Sequence, residues 1–119
     1  DDMPRVLIVD DEENFRKLYS MELSSEGYDV SLADSGQAAI RSVSEEAPDI
    51  VVLDVKMSGK DGLETLSELK KKNKALPVIL NTAYNSYKNN FQSWLAEDYV
   101  IKSADLSELK MKIRNLLKI

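Results

Sequence analysis

Five side chains far apart in the sequence could act together on one phosphoryl group: Asp10, Asp11, Asp54, Thr82 and Lys102. Each follows or ends a short apolar run, and in a parallel arrangement of those runs all five would meet on one rim. Three carboxylates brought close together repel, which pushes one pKa upward unless a cation intervenes. A hard divalent ion suits them, since Mg²⁺ takes one or two carboxylates, keeps several waters and shares a phosphate oxygen. Lys102 adds a mobile positive charge and Thr82 a hydroxyl that both donates and accepts. Such a pocket holds phosphoryl oxygens and offers a carboxylate as nucleophile. Taken singly, each residue has a plainer reading. Asp54 is where a strand meets water, Lys102 a surface lysine, Thr82 a strand-end cap and Asp10-Asp11 an acidic helix start.

The elements that must position them follow from periodicity. Ile50-Val51-Val52-Leu53 and Arg5-Val6-Leu7-Ile8-Val9 are too short for helices and too uniformly apolar for half-exposed strands, so both read as strands covered on two faces. Phe15, Leu18, Tyr19 and Leu23 recur at helical spacing up to Gly27, a C-terminal stop. Tyr28 to Ala33 alternates, with Val30 and Leu32 on one face, and reads as a strand near the sheet edge. Ser35 caps a second helix through Ala39, Ile40 and Val43, which Pro48 closes. Asp61-Gly62 leads into a third helix with Leu63, Leu66 and Leu69 inward, ending in Lys70-Lys71-Lys72, a basic run expected at a solvated helix end.

Pro77 opens the strand Val78-Ile79-Leu80. Beyond it Asn81, Asn85, Asn89 and Asn90 favour turns, although Phe91, Trp94 and Leu95 fit one helical face, so a short helix is expected there. Tyr99-Val100-Ile101 is the last strand, and Asp105 is expected to cap a final helix with Leu106, Leu109, Ile113, Leu116 and Leu117 inward. Strand and helix alternate five times, which demands a parallel sheet with right-handed crossovers and helices on both faces.

With 119 residues the chain is expected to form one domain, and it has neither cysteine nor histidine. That excludes thiol nucleophiles, a Ser-His-Asp triad, zinc sites of the usual kind and a phosphohistidine on this chain. A formal net charge of −5 argues against direct binding of nucleic acid. No apolar stretch is long enough to span a membrane and no signal-peptide pattern opens the chain, so a soluble cytoplasmic protein is expected.

Val-Asp-Asp-Glu at 9–12, Leu-Asp-Val-Lys-Met at 53–57, Asp-Gly at 61–62, Thr-Ala at 82–83 and Tyr-Val-Ile-Lys at 99–102 together resemble the receiver domain of bacterial two-component response regulators. The resemblance covers essentially the whole chain, residues 1–119, and implies a flavodoxin-like doubly wound α/β fold with strand order 2-1-3-4-5 and five helices, the fourth short or irregular. It implies that Asp54 accepts a phosphoryl group from a phosphohistidine on a sensor histidine kinase or a histidine phosphotransfer protein. Asp11, Asp54 and the backbone carbonyl of Lys56 would ligate Mg²⁺, with Mn²⁺ an alternative, and Asp10 would act through water. Thr82 and Lys102 would bind the acyl phosphate, and Tyr99 would swing toward the space Thr82 vacates, making a two-state switch. The output would go to a downstream protein or an effector domain outside this sequence. Lys56 and Tyr84 would flank the attacking water and set the phosphoryl lifetime; this pairing resembles the stand-alone receiver of the sporulation phosphorelay and implies slow autodephosphorylation.

Three features depart from the family pattern. Ser58 and Ser103 stand where the family usually has proline, and the interval from Thr82 to Lys102 is shorter by a residue or two. The bond before that second proline is typically cis in the family; before serine a cis bond costs about 2.5–4 kcal/mol, so the sequence leaves both isomers open. An aspartyl phosphohydrolase would need a second aspartate two residues past Asp10, where Glu12 stands, and a cap domain. A flavodoxin-type carrier would need a Ser/Thr/Gly-rich loop where this chain has acids. The remaining alternative is a receiver-like interaction module acting without phosphorylation.

Overall fold

The uninterrupted aliphatic runs become the centre of one parallel sheet, because only a strand with neighbours and helices on both faces hides side chains of both parities. The computed structural model describes residues 3–57, 61–83 and 95–119. Its strands are β1 (Arg5–Val9), β2 (Asp29–Ala33), β3 (Ile50–Leu53), β4 (Val78–Thr82) and β5 (Asp98–Ile101). Among the described residues its helices are α1 (Glu13–Ser25), α2 (Gly36–Glu45), α3 (Gly62–Lys72) and α4 (Ser107–Leu117). The order across the sheet is β2-β1-β3-β4-β5, with every neighbouring pair parallel. This is the expected doubly wound topology. Residues 84–94 of the short helix expected over Tyr84 to Glu97, Phe91 and Trp94 among them, lie outside the described residues; Leu95, expected on the same face, is 47% exposed, and α4 is the helix the sequence places last.

Alternation along the strands divides the core into two layers. Leu7, Val9, Val51, Leu53, Val78 and Leu80 meet Leu66 and Leu69 of α3 on one face. Val6, Ile8, Ile50, Val52 and Ile79 meet Tyr19 and Leu23 of α1 and Leu109 and Ile113 of α4 on the other. Each such side chain, fully buried, contributes about 1.5–3 kcal/mol. The register then aligns the strand ends, with Val9 beside Leu53, Leu53 beside Leu80 and Thr82 beside Ile101. The residues that follow, Asp10, Asp54 and Lys102, emerge on one rim.

The punctuation holds where it is local. Gly27 takes φ +95°, and Ser35 accepts the Ala38 N–H at 3.1 Å. Asp105 accepts the Ser107 N–H at 2.9 Å, although helical geometry begins only at Ser107, one residue later than an N-cap at Asp105 would give.

Other expectations are corrected by tertiary contacts. Leu32 lies on the edge strand and is 45% exposed, whereas Val30 packs on the core. Lys70 does not end in solvent: its ammonium sits 2.6 Å from Glu97 Oε2 and donates to the Leu76 carbonyl at 2.8 Å. Asn81 forms no turn; it is a buried residue of β4 whose amide finds a partner in Tyr19. Among the described residues no peptide bond is cis, so the Lys102–Ser103 bond is trans.

Candidate functional site

Three of the five chemistry-bearing side chains meet at one ammonium group. Lys102 Nζ lies 2.7 Å from Asp10 Oδ2, 3.1 Å from Asp54 Oδ2 and 3.3 Å from Glu12 Oε1. Asp54 reaches this point because its N–H donates to the Val9 carbonyl at 2.9 Å, extending the β1–β3 ladder by one residue. Lys102 is held in the same way, its N–H donating to the Thr82 carbonyl at 2.8 Å. The Lys102 side chain is only 4% exposed, with its ammonium 4.3 Å from the centre of the Phe15 ring.

Asp10 is fixed from both sides of its own residue. Its Oδ1 accepts the Glu12 N–H at 2.9 Å and its carbonyl accepts from Arg16 Nη1 at 2.8 Å. Carboxylate oxygens of Asp10, Asp11 and Glu12 lie within 4.8 Å of one another. Thr82 is fully buried at the end of β4, Lys56 is exposed two residues past Asp54, and Tyr99 is half-buried against the α3-side core, away from α4. Tyr84 and Ser58 lie outside the described residues.

Burial drives the Asp54 carboxyl up to about 6; Lys102 opposes the rise, and the negative charges of Asp10 and Asp11 add to it. For Lys102, burial alone would lower the pKa, but hydrogen bonds and charge from Asp10 and Asp54 outweigh it and leave it raised. The rim is therefore a carboxylate cluster short of positive charge, with lysine as its resident cation. Its donor set consists of hard carboxylate oxygens, which fits Mg²⁺. Asp10, Asp11 and Glu12 supply oxygens at the spacing such an ion needs, and Asp54 adjoins them through Lys102.

Sequence reasoning missed three contributors. Glu12 was visible only as part of the acidic run, and Phe15 only as a helix-face apolar residue. Gly62 is the third: a Cβ there would lie 2.1 Å from the Asp54 carbonyl oxygen and 2.5 Å from Val55 Cα. Its N–H donates to the Val55 carbonyl at 2.7 Å, so α3 starts directly against the Asp54 backbone. The Asp-Gly pair signalled a helix start without revealing what it abuts.

Comparison with known proteins agrees with this geometry. The family model described as the response regulator receiver domain matches residues 6–114. The regulatory protein AtoC of Escherichia coli is 35% identical over 117 residues, which are 97% of this chain and 25% of AtoC. The probable transcriptional regulatory protein TcrX of Mycobacterium tuberculosis is 36% identical over 115 residues, 95% of this chain and 49% of TcrX. The chain thus spans about a quarter to a half of the length of these curated relatives. The response regulator TrrA of Thermotoga maritima, solved in complex with Mg(2+)-BeF, superposes with a TM-score of 0.93 at 43% identity, covering 96% of this chain and 99% of TrrA. TrrA has also been solved in complex with the histidine kinase ThkA, and there the TM-score is 0.91, with 97% and 99% of the two chains covered. With a family model spanning nearly its whole length, this chain belongs to the response regulator receiver domain family.

Proposed function

We propose that Asp54 is the phosphoacceptor of this receiver and that its donor is a phosphohistidine on a sensor histidine kinase or a histidine phosphotransfer protein. The observation that carries this reading is the single ammonium of Lys102 gripping Asp10 and Asp54 at once, beside the further carboxylates of Asp11 and Glu12. An Asp54 carboxylate oxygen attacks phosphorus, the bond from phosphorus to the donor imidazole nitrogen breaks, and the imidazole leaves with its electron pair and takes up a proton. The product is an acyl phosphate on Asp54.

Mg²⁺, or Mn²⁺ with the same oxygen preference, would be held by Asp11, Asp54 and the Lys56 backbone carbonyl, with Asp10 one water removed; bound there it would neutralise phosphoryl charge. Glu12 borders the same oxygens. Lys102 exchanges its Asp54 contact for a phosphoryl oxygen, and Thr82 donates its hydroxyl to another. Tyr99, half-buried beside β4, follows Thr82 inward. Mg(2+)-BeF on TrrA and the TrrA–ThkA complex support the cation and the kinase respectively. The greater length of AtoC and TcrX supports an output carried by an effector domain or a downstream protein. Among the described residues no helix is long and apolar enough to cross a membrane, and the net charge of −5 speaks against direct nucleic-acid contact; we place the protein in the cytoplasm.

From their places in the sequence, two residues past Asp54 and two past Thr82, Lys56 and Tyr84 would hinder the hydrolytic water, so slow autodephosphorylation is expected and Tyr84→Ala is expected to shorten the phosphoryl lifetime. The test of the reading is intact-protein mass after incubation with acetyl phosphate. One phosphoryl adduct that requires both Mg²⁺ and Asp54 is expected; an adduct that survives Asp54→Ala would overturn the assignment.

A further inference from the structure

One polar pair lies inside the apolar layer beneath the rim. Asn81 Nδ2 donates to the Tyr19 hydroxyl at 2.6 Å, and the two residues are 2% and 1% exposed. Tyr19 belongs to the same core layer as Ile8, Val52, Ile79 and Val100. Two apolar side chains could occupy this space without the desolvation that a buried amide and phenol carry. The bond therefore adds direction more than stability, since a hydrogen bond orients its partners and an aliphatic contact does not.

The directed group is the end of β4. Asn81 immediately precedes Thr82, and strand alternation turns Asn81 toward α1 while Thr82 faces the opposite layer. Tyr19 is itself held on the site side, its ring 5.7 Å from that of Phe15, which lies under Lys102. The charges of Lys102, Asp10 and Asp54 reach the Tyr19 hydroxyl. One tyrosine thus touches both phosphoryl-binding arms at one remove: Lys102 through Phe15, and Thr82 through the backbone of Asn81.

We infer that Tyr19 and Asn81 are positioning residues for Thr82, clamping the end of β4 to α1 so that the Thr82 hydroxyl is aimed at the phosphoryl group on Asp54. This rests on the phosphoryl-transfer reading above. The clamp also tells Thr82 where α1 is, so the aim of the hydroxyl and the seat of Lys102 are set by one helix.

The test compares wild type, Tyr19→Phe and the double variant Tyr19→Phe/Asn81→Leu for acetyl phosphate-driven adduct formation, urea stability and Thr82 χ1 from three-bond couplings to its γ-methyl. Tyr19→Phe leaves a buried amide unpaired and loses stability, whereas the double variant removes both polar groups and regains it. In both, phosphorylation slows about tenfold, the scale expected when a positioned group loses its aim. In a Thr82→Ala background the Tyr19→Phe effect disappears, because coupled residues are not additive. Recovery of rate along with stability in the double variant, or full persistence of the effect without Thr82, would overturn the inference. Should wild type form no adduct, the phosphoacceptor reading fails, and the couplings still decide: rotamer averaging of Thr82 in Tyr19→Phe supports the clamp, and an unchanged χ1 refutes it.

Discussion

Lys102 binds Asp10 and Asp54 together because neither carboxylate is exposed enough to be stabilised by water alone. Its removal leaves buried negative charge unpaired, which is the costly way to break an ion pair. Lys102→Met is therefore expected to destabilise the metal-free protein by about 3–5 kcal/mol in urea unfolding, with most of the loss recovered in Mg²⁺. An unchanged midpoint without metal would show that the pair is idle. Asp54 gives a second test. Its pKa is raised to about 6, so between its ordinary value and about 6 the folded state holds a proton that the unfolded chain releases. Native stability consequently falls as pH rises through that window. Asp54→Asn removes the penalty, and in EDTA it should stabilise the protein by about 1–3 kcal/mol at pH 7 and by almost nothing at pH 4. Equal gains at the two pH values would contradict the burial account. These aspartates and the lysine were legible in the sequence because a polar residue ending an apolar run marks a strand tip. Glu12 and Phe15 were not, since their partner Lys102 lies at the far end of the chain.

At the scale of elements, the site depends on α3 starting against β3. The contact is backbone on backbone at Gly62, where no side chain fits. Gly62→Ala is expected to cost about 2–4 kcal/mol, since the clash is with main chain that cannot rotate away. Adduct formation on Asp54 should slow as the loop is pushed aside; a variant of wild-type stability would show that α3 is free to retreat. The Lys70–Glu97 pair is the second joint. Glu97 accepts the Val78 N–H at 2.7 Å as well as the Lys70 ammonium, so it ties the end of α3 and the start of β4 to the approach of β5. Lys70→Met should destabilise by about 1–3 kcal/mol, because Glu97 keeps its backbone donor but loses the charge that neutralises it. The strand and helix order was readable from apolar spacing alone. What defeated sequence reasoning was any polar residue whose partner is distant: Lys70 read as a solvated helix end and Asn81 as a turn former, and both are buried by contacts across the fold. Leu32 misled in the opposite direction, because an edge strand has too few neighbours to cover every apolar side chain.

Across the whole molecule, the sheet joins the rim to a second surface. Thr82 pairs in register with Ile101, and Leu80 with Tyr99, so β5 is the strand to which a shift at the end of β4 would pass. Ile101 is a 40% exposed apolar residue at the end of β5, within reach of a partner that reads such a shift. The proposed switch requires that a change of charge at Asp54 be sensed across the sheet. The direct measurement is the amide spectrum of the full chain with and without Mg²⁺ and beryllofluoride, for wild type and for Thr82→Ala. Perturbations are expected to run from Asp54 through Thr82 to Tyr99 and Ile101 in wild type and to stop at the rim without the Thr82 hydroxyl. Perturbations confined to residues around Asp10, Asp11 and Asp54 in both proteins would contradict the proposed switch.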